Sequence, residues 1–388
     1  MISKECKINL SNTLFILGWS IYLISYVLFK QTEIMYMYNT SSVYQIINIL
    51  SISIFLVKIF FIDKYSKNKL LYYGIIMLFV LVNAILVDNN TLFFSILIAL
   101  SADNVDFKKF IKVDIKVRIL LVLGIVGMSL LGFLPNFTKF INGSLKQAYG
   151  FTHPNILCFF VITILLELMF INKKINFKYL VINILVIYLL TIFCFSKTSV
   201  YAYILIFIIN IFMKNKEKFF NKKIIKFIFI LLPLLISIFS FIVIIGYDKG
   251  NEISRKMDVA LTERIRAGYN FYSNYGIKLF GNKIETVVTR EALSTGKTSN
   301  IFDMGYLRLI INYGSIVAFM VISLLCALQK SILKNKEYKL LLISTFFIII
   351  GFTENNLYNI IMNFVLIYIP FIFRTKNKNN LIGVVKYE

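Results

Sequence analysis

The sequence predicts an all-α, polytopic membrane protein: about twelve transmembrane helices and one large extracytoplasmic loop, in a single integral membrane domain across residues 1–388. Three observations predict it. First, 59% of the 388 residues are hydrophobic and only 16% are charged, against about 25% charged in an ordinary soluble domain. A soluble fold could not bury that much apolar surface, and a disordered chain would not carry it. Second, the apolar residues fall into runs near the roughly 20 residues that a spanning helix needs. Third, the basic residues alternate between the ends of those runs.

The runs are 12–29, 43–62, 70–87, 90–102, 118–134, 155–171, 179–195, 198–213, 224–246, 305–328, 340–353 and 356–373. The fourth and eleventh are short. The seventh and eighth are joined only by Ser196 and Lys197, a tight hairpin. With the N-terminus placed in the cytoplasm, the inner segments collect 27 of the 42 Lys and Arg residues. They begin with Lys4 and Lys7 and include Lys108, Lys109, Lys112, Lys116 and Arg118, Lys173 and Lys174, and the stretch from Arg374 to Lys386. The short outer segments carry Lys30, Lys139, Lys146 and Lys197 alone. Excess Lys and Arg on cytoplasmic loops sets the orientation of membrane helices, so both termini are expected in the cytoplasm. The formal net charge of +23 is thereby a topological signal, and no nucleic-acid partner is inferred. No cleavable signal peptide is expected, because the first run lacks a small-residue cleavage site. The Ile, Lys and Asn richness suits an AT-rich bacterial genome, hence a bacterial cytoplasmic membrane.

The stretch 247–304 is the long non-apolar loop and falls on the outer face. Its apolar positions in 257–272 are periodic, which predicts a partly helical segment lying along the membrane. Within and just after it lie five of the seven arginines, Arg255, Arg264, Arg266, Arg290 and Arg308. Arg118 and Arg374 sit at inner helix ends, where topology accounts for them. Lysine would supply charge alone; arginine adds a planar fork that grips phosphate through two hydrogen bonds. The outer arginines therefore point to an anionic ligand such as a pyrophosphate, with attraction to lipid headgroups as the plainer explanation.

The one histidine, His153, lies in Tyr149-Gly150-Phe151-Thr152-His153-Pro154-Asn155 at the outer entrance of the sixth run. Pro154 suits a first helical turn, which places Thr152 or His153 at the cap. The positive end of the helix dipole would keep the imidazole neutral and able to take a proton. Asp303 is placed to cap the tenth helix, and Glu263 to pair with its neighbour Arg264. Glu167, the acid well inside an apolar run, is expected to pair at the inner interface with Lys173 and Lys174. The four cysteines have no ligand or disulfide spacing, and there is neither a Walker A loop, an Asp-x-Asp motif on the outer side, nor a Gly-x-Ser-x-Gly elbow.

Four stretches together resemble the Wzy-type polysaccharide polymerases of the O-antigen ligase and polymerase superfamily. They are Gly150-Phe151-Thr152-His153-Pro154-Asn155; Leu261-Thr262-Glu263-Arg264-Ile265 followed by Leu279-Phe280-Gly281; Asp303-Met304-Gly305-Tyr306-Leu307 with Tyr313-Gly314; and Phe352-Thr353-Glu354. They stand in the family's helix order, while 282–302 matches no family pattern. The resemblance implies an enzyme that joins oligosaccharide repeat units carried on undecaprenyl pyrophosphate, at the outer face, without a metal, nucleotide sugar or other cofactor. Implied partners are the lipid-linked oligosaccharide, membrane lipid, and flippase and chain-length regulator proteins. On this reading Arg264 is catalytic. Arg266, Arg308 and Arg290 bind the pyrophosphate, with Asn155, Tyr306 and Asp303 in the substrate site. His153 is either the general base or a residue that holds the pyrophosphate or acceptor. A ligase of the same superfamily and a flippase for lipid-linked sugars are the competing readings. The flippase is disfavoured because transporters gather polar residues near the membrane midplane, whereas here they gather outside.

Overall fold

A computed structural model describes residues 4–141, 144–172, 175–194, 196–213, 216–297 and 299–374. Lys173, Lys174, Lys214 and the basic residues between 375 and 386 lie outside the described residues. Eleven of the twelve apolar runs coincide with α-helices, and the last, 356–373, is helical only from Phe364 onward. The helices are α1 Lys4–Lys30, α2 Ile34–Met37, α3 Ser41–Val57 (continued by a π turn, Lys58–Ile62), α4 Lys67–Val87, α5 Thr91–Ser101 and α6 Phe107–Leu130. After a β-hairpin (β1 Thr138–Ile141, β2 Ser144–Gln147) come α7 Pro154–Ile171, α8 Phe177–Phe193, α9 Lys197–Phe212, α10 Lys216–Phe220 and α11 Lys223–Asp248. Then follow α12 Glu252–Ala260, α13 Arg264–Tyr275, α14 Thr289–Thr295, α15 Gly305–Lys334, α16 Tyr338–Ile350 and a 3₁₀ helix, Phe364–Phe373.

Six of these are long and apolar enough to cross a membrane: Ile8–Lys30, Ser41–Ile62, Lys67–Val87, Pro154–Ile171, Lys223–Asp248 and Gly314–Lys334. Length and burial divide the helices. The long α3, α4 and α11 present large apolar side chains outward, such as Ile46, Ile49, Ile85 and Ile224. The short α5, α16 and the 3₁₀ helix are almost wholly buried. Elements too short for a bilayer of about 30 Å can sit at membrane depth only where protein surrounds them, and these are the surrounded ones.

The turns that the charge bias assigns to one face meet one another. At the assigned inner end, Lys58 of the π turn is fully buried and donates to Asp63 and to the carbonyls of Ser101 (2.6 Å) and Asp103 (2.8 Å). Lys69 pairs with Asp103 at 2.5 Å, and Lys339 donates to Asn172 O. At the assigned outer end, Glu33 N–H donates to Gly150 O (2.9 Å) and Thr152 N–H to Gln31 O (3.0 Å), while Arg290 and Lys283 of the long loop reach Glu33 and Asp88. These two clusters are called the inner and outer ends below.

Several expectations are corrected. The fifth run begins eleven residues early: Asp106 caps α6 by accepting from Lys108 N–H and Lys109 N–H, so the Lys108–Arg118 basic stretch is helical rather than a loop. Arg118 is not a surface residue at a helix end. It is fully buried, 3.1 Å from Asp114 and 3.3 Å from Glu167, and its Nη2 donates to Ile361 O at 2.8 Å. Trp19 Nε1 donates to the other oxygen of Asp114 (2.9 Å). Glu167 therefore pairs with Arg118 across the core. The last run is not one α-helix. Between α16 and the 3₁₀ helix the chain is irregular, and asparagine side chains bond its backbone: Asn359 Oδ1 accepts from Ile361 N–H (3.0 Å) and Asn363 Nδ2 donates to Leu357 O (2.8 Å). Side chains that bond nearby backbone compete with helix formation.

The long outer loop is structured. It contains α12, α13 and α14, and its Ile265 and Phe271 pack on Val243, Ile244, Phe302, Met304, Leu307 and Ile311 in a second hydrophobic cluster.

Candidate functional site

The Tyr149-Gly150 turn takes positive φ at both residues (46° and 84°). A side chain at Gly150 would press on Ile125, whose carbonyl would lie 3.2 Å from the added Cβ. This turn, bonded to the end of α1 as above, delivers His153 in an extended conformation to the N-cap of α7, with Pro154 as first helical residue. His153 Nδ1 accepts the Asn155 backbone N–H at 3.1 Å. Burial, then Lys139 and Arg264, lower its pKa to about 4. The imidazole is thus neutral, as expected from the cap position. Its tautomer follows from the cap bond: with the Nδ1 lone pair facing an N–H, the proton resides on Nε2. In this state Nε2 can donate a hydrogen bond, and the lone pair of the ring is engaged at the cap. Asn155, half-buried, follows in the same turn, and its described bond is the backbone one to His153.

Arg264 opens α13 behind two non-glycine residues with positive φ, Thr262 (54°) and Glu263 (64°). Such backbone costs about 1–3 kcal/mol per residue and persists where surroundings hold it; Glu263 N–H donates to Asp258 O at 2.8 Å. The turn aims the Arg264 guanidinium inward. It donates to Thr353 O, lies 2.9 Å from Glu354 Oε1 and 3.8 Å from Asp303 Oδ2. Glu354 also accepts from Thr198 Oγ1 (3.3 Å). Burial opposes the Arg264 charge, yet Glu354 and Asp303 outweigh it and raise its pKa. Burial raises the Glu354 carboxyl against the pull of Arg264.

The structure brings some of the expected residues together and separates others. Arg264 and Asp303 belong to one cluster, and the Arg264 charge acts on His153. Asp303 does not cap α15, whose cap residue is Met304 without a side-chain bond; it stands beside Arg264 with 38% of its side chain exposed. Glu263 pairs with Arg266, not with Arg264, and that pair is exposed; Arg266 leaves the cluster. Arg290 is held bidentately by Glu33, with three contacts at 3.0–3.1 Å, and its guanidinium lies over Tyr36 and Phe137. Since Glu33 occupies the fork, Arg290 fastens the loop to α2 rather than offering itself to a phosphate. Tyr306 is fully buried with its hydroxyl donating to Ile348 O at 3.1 Å, a packing residue out of reach of a ligand. Arg308 is half-buried, makes one long contact to Phe302 O (3.4 Å), and has no acidic partner among the described residues. Asn359 Nδ2 donates to the Tyr26 hydroxyl at 2.8 Å.

Glu354 and Thr198 are the site residues that the sequence reading did not select. Glu354 carried a signal, as an acid in an apolar stretch quoted for the resemblance without a role; Thr198, the first residue of the eighth run, carried none.

The quoted stretches also meet physically. α15 is kinked at Gly314 (φ 87°), and Gly281 (φ 91°) lies against it: a Cβ on Gly281 would fall 2.1 Å from Asn312 O, and one on Gly314 2.3 Å from Gly281 N. The backbone groups released by the kink are taken up by the loop. Ser315 N–H donates to Lys278 O (3.0 Å), and Asn282 N–H to Asn312 O (3.0 Å). Asn83 Nδ2 bridges Phe280 O and Tyr313 O at 2.9 and 2.7 Å.

Comparison with known proteins finds no family model that matches, no similar curated protein and no similar solved structure.

Proposed function

We propose that the chain is a membrane polymerase of the Wzy type, which joins lipid-pyrophosphate-linked oligosaccharide repeat units at the outer face of a bacterial cytoplasmic membrane. On this reading the twelve runs are twelve crossings with both termini in the cytoplasm, and the short buried elements cross inside a shell of longer ones. The observation that carries the reading is a coincidence of place. The four stretches on which the resemblance rests are far apart in sequence, yet three of them pack on one another, Gly281 on Gly314 and Arg264 on Thr353, Glu354 and Asp303, and the fourth stands at the same end of the bundle, with Gly150 O and Thr152 N–H bonded to Glu33 and Gln31.

The chemistry is transfer of an anomeric carbon from pyrophosphate to a sugar hydroxyl. As the bond to the leaving phosphate breaks, negative charge grows there, and fixed donors aimed at it stabilise the transition state. Arg308, a half-buried cation without an acid partner among the described residues, and the Nε2–H of neutral His153 supply those donors. Arg264 is committed to Glu354 and Asp303, and shapes the site by holding the 353–354 turn. The attacking hydroxyl needs a base. Asp303, the open carboxylate of the cluster, fits that role better than a pyrophosphate-binding one, since a carboxylate repels phosphate.

Deletion of the gene tests the reading. A polymerase deletion leaves single repeat units displayed outside the membrane; a flippase deletion leaves none outside.

A further inference from the structure

Beyond the cluster around Arg264, we propose a second site on the outer loop: an oligosaccharide-binding cleft that holds sugars of the lipid-linked chain. The proposal rests on the polymerase reading for its substrate and on the cleft itself for its chemistry. The cleft, of about 400 Å³, is lined by Tyr247 and Asp248 at the end of α11, Arg255, Asp258 and Val259 of α12, and Tyr269 of α13. Its volume lies within the usual range of small-ligand sites, roughly 300–1,000 Å³. The two tyrosine rings stand 6.1 Å apart at 47°. One oxygen of Asp258 accepts Arg266 N–H at 2.8 Å. Gly250 leaves room for the Arg255 guanidinium, which would come within 3.2 Å of a Cβ there.

Aromatic faces for the C–H faces of sugar rings, with carboxylates and a guanidinium for their hydroxyls, suit a polyol. Tyrosines at a helix end are also what a membrane-interface belt provides, and an arginine alone would suit an anionic lipid headgroup. The two aspartates separate these cases, because they outnumber the cation in the cleft and repel phosphate. The location fits as well. α11 ends at Asp248, so the cleft stands where a spanning helix leaves the membrane. Tyr269 is five residues along α13 from Arg264, about 7.5 Å of helix rise. A step of five residues also turns about 140° around the helix, so the cleft and the Arg264 cluster are carried by one helix on different faces, and a glycan reaching from one to the other passes around α13.

The test uses the full chain in detergent micelles and, as probe, polysaccharide released by mild acid from the surface of the producing cells, with binding read by saturation-transfer NMR. Wild type is expected to bind. Tyr247→Ala and Tyr269→Ala should each bind at least tenfold more weakly, about 1.4 kcal/mol, while Tyr269→Phe retains binding and melting temperatures stay unchanged. In cells, the two alanine variants should give shorter chains with polymerisation still present. Failure of wild type to bind the glycan, binding of phosphatidylglycerol vesicles in its place, or alanine variants with wild-type affinity would overturn the cleft. The polymerase reading fails separately, if deletion of the gene leaves chain length normal.

Discussion

The Nδ1 of His153 accepts the backbone N–H of Asn155 at 3.1 Å, and this one bond fixes both the start of α7 and the tautomer of the imidazole, while burial, Lys139 and Arg264 keep the ring neutral. Asparagine is a good cap acceptor without a titrating proton. His153→Asn should therefore keep the stability of α7, while His153→Ala should cost about 1 kcal/mol, read as melting temperature in detergent. Both should lose activity if the Nε2–H is the needed donor.

The buried imidazole, flanked by Lys139 and Arg264, predicts acid lability of known sign. Folding depresses the His153 pKa from its ordinary 6.5 to about 4. Its stabilising contribution is complete above 6.5 and is lost as pH falls from 6.5 towards 4, because the unfolded chain then binds a proton that the folded one refuses. In a melting series across that interval, wild type should lose stability more steeply than His153→Asn. Parallel slopes for the two proteins would show that His153 is not the group responsible.

Arg264 and Glu354 are a buried pair at 2.9 Å, and removing one partner of such a pair typically costs about 3–5 kcal/mol because the other is left unpaired. Arg264→Met should therefore destabilise strongly, and Glu354→Gln in the same chain should recover much of the loss. The comparison is made by thermal melting of the single and double variants. Loss of activity in Arg264→Ala alone would not separate chemistry from folding, whereas an inactive but stable double variant would.

Much of the outer loop was legible only as an exception. Its length and its arginines stood out, yet what each arginine does depends on partners remote in sequence. Arg290 finds Glu33, 257 residues away, and no local spacing announces it. The apolar runs were legible because burial in lipid or protein demands them wherever they occur. Run boundaries failed where chemistry other than hydropathy decides: Asp106 starts α6 among lysines, and Asn359 and Asn363 unwind a stretch that hydropathy reads as helix. Arg118 was misplaced for the opposite reason. A charge near a run's end looks topological until Asp114, Glu167 and Trp19 are found around it.

The glycine contact between the loop and α15 predicts a local effect. Gly281→Ala and Gly314→Ala each place a Cβ inside the opposing backbone, at a φ that disfavours any side chain. Either should release residues 278–282 from the kink. Limited trypsin digestion should then cut faster at Lys278 and Lys283 than in wild type, before any global unfolding.

The central claim is transfer of a glycan from lipid pyrophosphate to another repeat unit at the outer-end site. The most direct measurement supplies the purified protein with lipid-linked repeat units extracted from a deletion strain, without metal or nucleotide sugar, and resolves the products by length. The account predicts a ladder of lipid-linked chains from wild type and Tyr269→Phe, and only single units from Arg308→Ala and Asp303→Asn. Single units remaining with the wild-type protein, or an unbroken ladder from both of those variants, would contradict it.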